Sequence, residues 1–268
     1  MNASLLLGKV ALVTGGGKGI GRETARLLGT LGARVFICGR TLDALESTVQ
    51  LLRADGSQAD YIVADISDSE DCKALARSIE QSAGRIDIVI NNAGMSMRGT
   101  LEDTDTSVIR AMIDINFLGA AYVSKFTIPL LKESKGSVVF ISSLSALHGL
   151  PKIGPYGASK LALKGLSESL RTELHPFGIH VGIVHVGFTE NDPDKRVYSQ
   201  DGTLSTMGTR KNSQSQKQAA HHIVKNVLRR KRESTLTTIG HLATFVYRFF
   251  PGLSDWAITT FAGKSGQY

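Results

Sequence analysis

Tyr156 and Lys160 stand four positions apart, and Ser143 lies thirteen residues before the tyrosine. On a helix, residues four apart sit one above the other on the same face, so the ammonium of Lys160 can approach the phenol of Tyr156. A free phenol titrates near pH ~10, too high for a group that exchanges a proton at neutral pH, and a neighbouring cation lowers that value by favouring the phenolate. A serine delivered from a strand end can hydrogen-bond the same carbonyl oxygen that the tyrosine protonates. The trio therefore suits proton transfer to or from an oxygen on carbon. Tyrosine and lysine at this spacing also occur in ordinary amphipathic helices, one in the core and one in water, so the remaining chain has to decide.

The elements able to position these groups read as a βαβ series. An aliphatic run at 10–13 ends at Thr14 and Gly15, and an amphipathic helix is expected over 19–31. Between them Gly15, Gly16, Gly17, Lys18, Gly19, Ile20 and Gly21 form a turn whose bare backbone can approach a pyrophosphate at a helix N-terminus. A second strand at 34–39 and a helix over 41–54 complete the unit. The end of that second strand is where such folds read the adenosine ribose, with an acid for a free hydroxyl or a base for a 2′-phosphate. Here it offers Gly39 and Arg40, with Lys18 in the glycine loop, which favours NADP(H) over NAD(H).

A third strand at 59–64 closes at Asp65 and Ile66, where the acid could bond an adenine amino group or cap the helix predicted over 68–82. A fourth strand at 86–90 runs into Asn91-Asn92-Ala93-Gly94, at the sheet edge where ligands of open α/β folds bind. One long helix is expected over 106–131 with Asn116 inside it, either as a local structural bond or beside a helix carbonyl free to hold water. A strand at 136–141 delivers Ser142 and Ser143, a helix over 156–175 carries Tyr156 and Lys160, and another strand at 179–184 follows. Residues 191–217 are polar and aperiodic, which predicts a lid or a disordered loop. A helix to Arg232 and a short strand at 235–239 precede an apolar tail.

Composition narrows the classes. In 268 residues, 42% hydrophobic and 21% charged, there is material for a large core and no unusual bias. The net charge of +7 is scattered except at Arg229-Arg230-Lys231-Arg232, and neither a zinc finger nor an aromatic stacking platform accompanies it, so no nucleic-acid partner is expected. Cys38 and Cys72 have no metal-ligand spacing, and His221-His222 point apart on a helix, so no disulfide and no metal site are expected. The opening residues lack the apolar run of a signal peptide, which makes the cytoplasm the default.

Taken together, Thr14-Gly15-x-x-x-Gly19-x-Gly21, Asp65, Asn91-Asn92-Ala93-Gly94, Asn116, Ser143 and Tyr156-x-x-x-Lys160 occur in an order that resembles the short-chain dehydrogenase/reductase family over residues 8–240. The resemblance implies a Rossmann-like, doubly wound parallel sheet of seven strands with a Ser-Tyr-Lys-Asn catalytic set. Tyr156 would be the general acid or base, Ser143 would polarise the substrate carbonyl, Lys160 would lower the tyrosine pKa and bind the nicotinamide ribose, and Asn116 would hold a water. Gly187 and Thr189, after the sixth strand, would join the cofactor site. There the family usually has Pro-Gly and a later threonine, whereas this chain has Val186-Gly187-Phe188-Thr189. A homodimer or homotetramer is expected on the same ground.

The expected organisation is a catalytic Rossmann domain over 1–240 containing a substrate lid at 190–217, then a tail over 241–268. The substrate pocket is expected to draw on Ser143, Leu144, Tyr156, Met95 and Met97, with an apolar lining and no fixed charge, which suits a medium-sized apolar carbonyl or alcohol. In the tail, Leu242, Phe245, Val246 and Phe249 fall on one helical stripe, Pro251-Gly252 should break it, and Leu253, Trp256, Ile258 and Phe261 form a second apolar group. Neither half reaches the ~20 residues of a membrane span. Packing on the protein or a partner subunit is the favoured reading. Contact with a membrane surface, helped by the basic run at 229–232, is the alternative.

Overall fold

The computed structural model describes residues 4–193, 195–208, 213–236, 245–247 and 249–262, with the backbone alone at 261 and 262. Seven parallel strands form the central sheet: β1 (Val10–Thr14), β2 (Arg34–Gly39), β3 (Ala59–Val63), β4 (Ile88–Asn91), β6 (Ser137–Ser143), β7 (His180–Val186) and β10 (Glu233–Thr235), in spatial order β10-β7-β6-β4-β1-β2-β3. The chain starts in mid-sheet, builds outward through β2 and β3, and then returns to the other side of β1 with β4. That reversal opens a crevice at the carboxyl ends of β1 and β4.

Alternation along each buried strand assigns its side chains to two cores. Ala11, Val13, Val35, Ile37, Val139 and Val184 face α1 (Gly19–Thr30), α2 (Leu42–Ala54) and α7 (Gln216–Leu228). Val10, Leu12, Phe36, Val138, Phe140 and Ile183 face α3 (Ser69–Ala83), α5 (Gly119–Ser134) and α6 (Gly154–Leu174). Helices on both faces explain why the strands read as continuous hydrophobic runs with no polar alternation.

Several expectations shift. The helix expected as one piece over 106–131 is α4 (Thr106–Ile113), a π-helical turn at Asp114–Leu118 and α5, so the hydrogen-bond ladder changes step around Asn116. The segment expected as a lid or a disordered loop is not a plain loop: β8 (Arg196–Ser199) pairs antiparallel with β9 (Leu204–Thr206) and parallel with β5 (Met97–Arg98), making a second, three-stranded sheet. Within the lid, residues 194 and 209–212 lie outside the described residues. The last strand, expected over 235–239, begins earlier, since the pairing of β10 runs Glu233 to Ile183 through Thr235 to His185, and residues 237–239 lie outside the described residues.

In the tail, the part of the stripe at Leu242 lies outside the described residues, while 245–247 and 249 are helical. Pro251-Gly252 opens a helix instead of only breaking one: α8 (Pro251–Ala262) starts there, a position where the missing proline N–H is no loss. Among the described residues no helix is long and apolar enough to cross a membrane. Both cysteines are buried and free, and no cluster of metal-ligating side chains occurs among the described residues.

Candidate active site

Ser143 is the last residue of β6 and Tyr156 lies in the first turn of α6, with Lys160 one turn further on. Lys160 is buried, 5% exposed, and its ammonium donates to the carbonyl of Ile141 at 3.0 Å. Burial pushes its pKa down from 10.5 to about 8, and the charge of Lys195 pushes the same way. The helix is locked to the strand by Ser142, whose hydroxyl donates to the Lys160 carbonyl at 3.0 Å. The hydroxyl of Ser143 accepts from the main-chain N–H of Ser145 at 3.2 Å, as the cap of a short 3-10 turn over Leu144–Ala146.

Asn116 is fully buried and does not itself line the cavity. Its Oδ1 accepts from the N–H of Met95 at 2.9 Å, and its Nδ2 donates to the Met95 carbonyl at 2.9 Å and to Ser159 Oγ at 3.0 Å. Ser159 in turn donates to the Tyr156 carbonyl at 2.7 Å. The asparagine thus ties the loop after β4 to the helix that carries Tyr156 and Lys160. Gly94 sits in this knot: a Cβ there would lie 2.7 Å from Asn116 Oδ1 and 3.0 Å from Lys160 Nζ. Only glycine fits.

The glycine turn is held from below by a residue that spacing alone does not single out. Thr14 Oγ1 accepts from the N–H groups of both Asn92 and Ala93 at 3.0 Å, while Asn92 Nδ2 donates back to the Thr14 carbonyl at 2.9 Å. A Cβ on Gly21 would come within 2.2 Å of the Gly15 carbonyl oxygen. That glycine therefore serves the seating of α1 on the turn. Gly15 and Gly19 have φ of +63° and +57°, in the region that favours glycine.

One cavity of about 800 Å³ joins these parts. Gly15, Gly17, Lys18, Gly19, Ile20, Gly21, Arg40, Asp65, Ile66, Asn92, Ala93 and Gly94 line it together with Ser143, Leu144, Met95, Tyr156, Lys160, Gly187 and Thr189. Met97 does not. It is fully buried and packs on Val108 and Met112, because its strand pairs with β8 and turns that side chain inward, so the expectation that it shapes the pocket is corrected. The lining also carries Arg98, Lys195 and Arg196, so an uncharged pocket is not what the fold builds. Asp192, which the sequence reading passed over, lies across the glycine turn: its Oδ2 would be 3.0 Å from a Cβ on Gly19, and its Oδ1 is 3.6 Å from Arg22 Nη2.

Asp65 does not cap α3. Its Oδ1 accepts from the N–H and hydroxyl of Ser67 at 3.0 and 2.7 Å, and Asp68 takes the capping role by accepting from Glu70 and Asp71. Burial raises the Asp65 pKa, but the bonds from Ser67 and the charge of Arg40, 3.7 Å away, leave it lowered overall. Val186, in place of the family's proline, keeps its main-chain N–H and carries β7 one pair further, opposite Ser143. Beyond it Thr189 donates to the Gly187 carbonyl at 3.2 Å and accepts from Gln214 at 3.2 Å.

Comparison with known proteins agrees with this geometry. The family model described as short chain dehydrogenase matches residues 9–202. A dehydrogenase/reductase SDR family member 7B from Xenopus tropicalis is 34% identical over 227 residues, 82% of this chain and 73% of that protein. An 11-beta-hydroxysteroid dehydrogenase-like 2 from Arabidopsis thaliana is 37% identical over 204 residues, 74% and 66% of the two chains. Among solved structures, a citronellol catabolism dehydrogenase from Pseudomonas aeruginosa superposes with a TM-score of 0.75 at 25% identity, covering 88% of this chain and 95% of the other. An actinorhodin polyketide ketoreductase with NADPH gives 0.66 at 34% identity over 68% and 71%. The chain belongs to the short-chain dehydrogenase/reductase family of oxidoreductases.

Proposed function

We propose that the protein is an NADP(H)-dependent reductase that acts on the carbonyl of a medium-sized substrate with an apolar body. The observation that carries this is the shared cavity, in which Ser143, Tyr156 and a buried Lys160 face the same space as the glycine turn. The residues present fit a dinucleotide. Helix α1 opens on that space with no side-chain cap and no acidic residue in its first turn, so its N-terminal N–H groups suit a pyrophosphate. Lys18 and Arg40 would meet a 2′-phosphate, and Asn92, Ala93, Gly94, Gly187 and Thr189 would hold the nicotinamide half. When bound, the cofactor supplies or accepts the hydride.

The rest of the work falls to side chains. Ser143 Oγ orients the substrate carbonyl, and the Tyr156 phenol gives it a proton as negative charge develops on oxygen. Lys160 stabilises the phenolate left behind. Met95, Leu144, Leu150, Ile153, Leu204 and Met207 supply apolar surface for the substrate body. The ketoreductase with NADPH supports the cofactor reading by similarity. A second reading, an NAD-dependent alcohol dehydrogenase, draws on the 3.7 Å approach of Asp65 to Arg40, which places a carboxylate at the ribose end.

Tyr156→Phe tests the chemistry. The ring still packs against the cluster of Met97, Val108 and Met112, so fold and cofactor affinity should persist while turnover falls by at least ~10²-fold. Unchanged turnover would refute the mechanism. Dissociation constants for NADPH and NADH on the unmutated protein decide between the two cofactor readings.

A further inference from the structure

The sheet has a second cavity, at the edge opposite the catalytic one. Ser143 and Val186 close β6 and β7 at the catalytic edge, whereas His180 opens β7 at the other. There Arg171, His175, His180, Arg230 and Arg232 line a hollow of about 330 Å³. Two of its three guanidinium groups are anchored to the main chain, and none of the three has an acidic bonding partner among the described residues. Arg171 donates to the carbonyls of Val181 and Arg232, both at 3.2 Å, and Arg230 donates to those of Lys135 and Gly178.

The ion pairs among the described residues include none of these three arginines. Glu168 and Glu233 act on Arg171 from further away, and Glu233 is already held by His185 at 3.0 Å. Each guanidinium carries five N–H donors, and carbonyls take two from Arg171 and two from Arg230. Backbone anchoring alone explains neither the donors left over nor the gathering of like charge.

One other observation points the same way. Burial, then the charge of Arg232, holds the Arg171 pKa below its ordinary value, so an anion here would relieve both residues.

We propose that this cavity binds a phosphoryl group, presented by a small phosphorylated metabolite or by a lipid headgroup. Planar guanidinium forks match phosphate oxygens in pairs, and a dianion offsets more of the gathered charge than a carboxylate does. The hollow is larger than one phosphate, so the ligand carries further groups.

Calorimetric titration with pyrophosphate tests this, on the parent protein and on Arg232→Gln, each with and without saturating dinucleotide to fill the catalytic cleft. The Arg232 side chain has no bonding partner among the described residues, so the variant should melt within about 2 °C of the parent, the range of surface changes. The expected result is one binding event that survives the filled cleft and weakens at least ~10-fold in Arg232→Gln. Absence of binding, equal affinity in the variant, or loss of binding when dinucleotide is present would overturn the proposal. Flotation with phosphatidylcholine vesicles containing phosphatidylinositol phosphate names the source. Binding that pyrophosphate displaces means a headgroup, and pyrophosphate binding without flotation means a soluble ligand.

Discussion

Replacing Lys160 with methionine should make the cofactor-free protein more stable while removing its activity. In the fold the lysine titrates at about 8, against 10.5 for an exposed lysine, chiefly through burial. At 1.36 kcal/mol for each tenfold change, that gap is a penalty of about 3 kcal/mol whenever both the folded and the unfolded chain carry the proton. The penalty is present in full below pH 8. Between pH 8 and 10.5 the folded chain gives up its proton while the unfolded chain keeps it, so stability rises with pH across that window. Methionine keeps the length and loses the charge, along with one bond to the Ile141 carbonyl that is worth about 1 kcal/mol. The net gain at pH 7 is about 2 kcal/mol, or about 4–8 °C in melting temperature for a chain of this size. Thermal melts of both proteins from pH 7 to 10 should show the advantage shrinking as pH rises. A variant that is no more stable at pH 7, or an advantage that does not change with pH, would refute the reasoning. Lys195→Ala should remove a smaller part of the same penalty, since Lys195 is the second cause of the shift.

Further outcomes concern the cofactor and the tail. Arg40→Asp should weaken NADPH about ten-fold or more and NADH far less, measured by quenching of protein fluorescence. Asp192→Asn should tighten either dinucleotide by about 2- to 5-fold at low salt and less at high salt, because it removes a carboxylate lying over the turn that takes the pyrophosphate. An unchanged constant would mean that the carboxylate swings clear. Truncation after residue 239 should lower the oligomer mass by light scattering, since Phe249, Leu253 and Trp256 are each more than half exposed. The intact protein should stay in the supernatant with anionic vesicles. Salt-sensitive co-sedimentation would reverse that reading, although the basic run at 229–232 precedes β10 and so lies at the opposite sheet edge from the tail.

What could be read from the residues follows the burial of each segment. Strands covered on both faces carry continuous aliphatic runs, so six of the seven central strands were legible to within a residue or two, and the start of the last was placed two residues late. The meeting of Ser143, Tyr156 and Lys160 on one cavity was legible because the helical spacing and the strand-end serine carry their own chemistry. Strands β8 and β9 were not, since Leu204–Thr206 is exposed throughout and an exposed strand has no apolar alternation to betray it. Met97 was misjudged because an apolar residue near a ligand edge can face either way, and its pairing with β8 settles which. The charges of Arg98 and Lys195 come to the substrate side from segments about a hundred residues apart, beyond the reach of any local pattern.

The small second sheet changes what kind of gate the segment proposed as a lid can be. Because β5 leads out of the same turn that Asn116 pins through Met95, the flap is stitched by main-chain bonds to the floor of the site. It cannot flutter residue by residue like a free loop. Opening has to break the β5 to β8 pairing as one event, with the hairpin of β8 and β9 moving as a plank. Departure of product would then follow a single slow exponential, shared by substrates of different size, with chemistry waiting behind it.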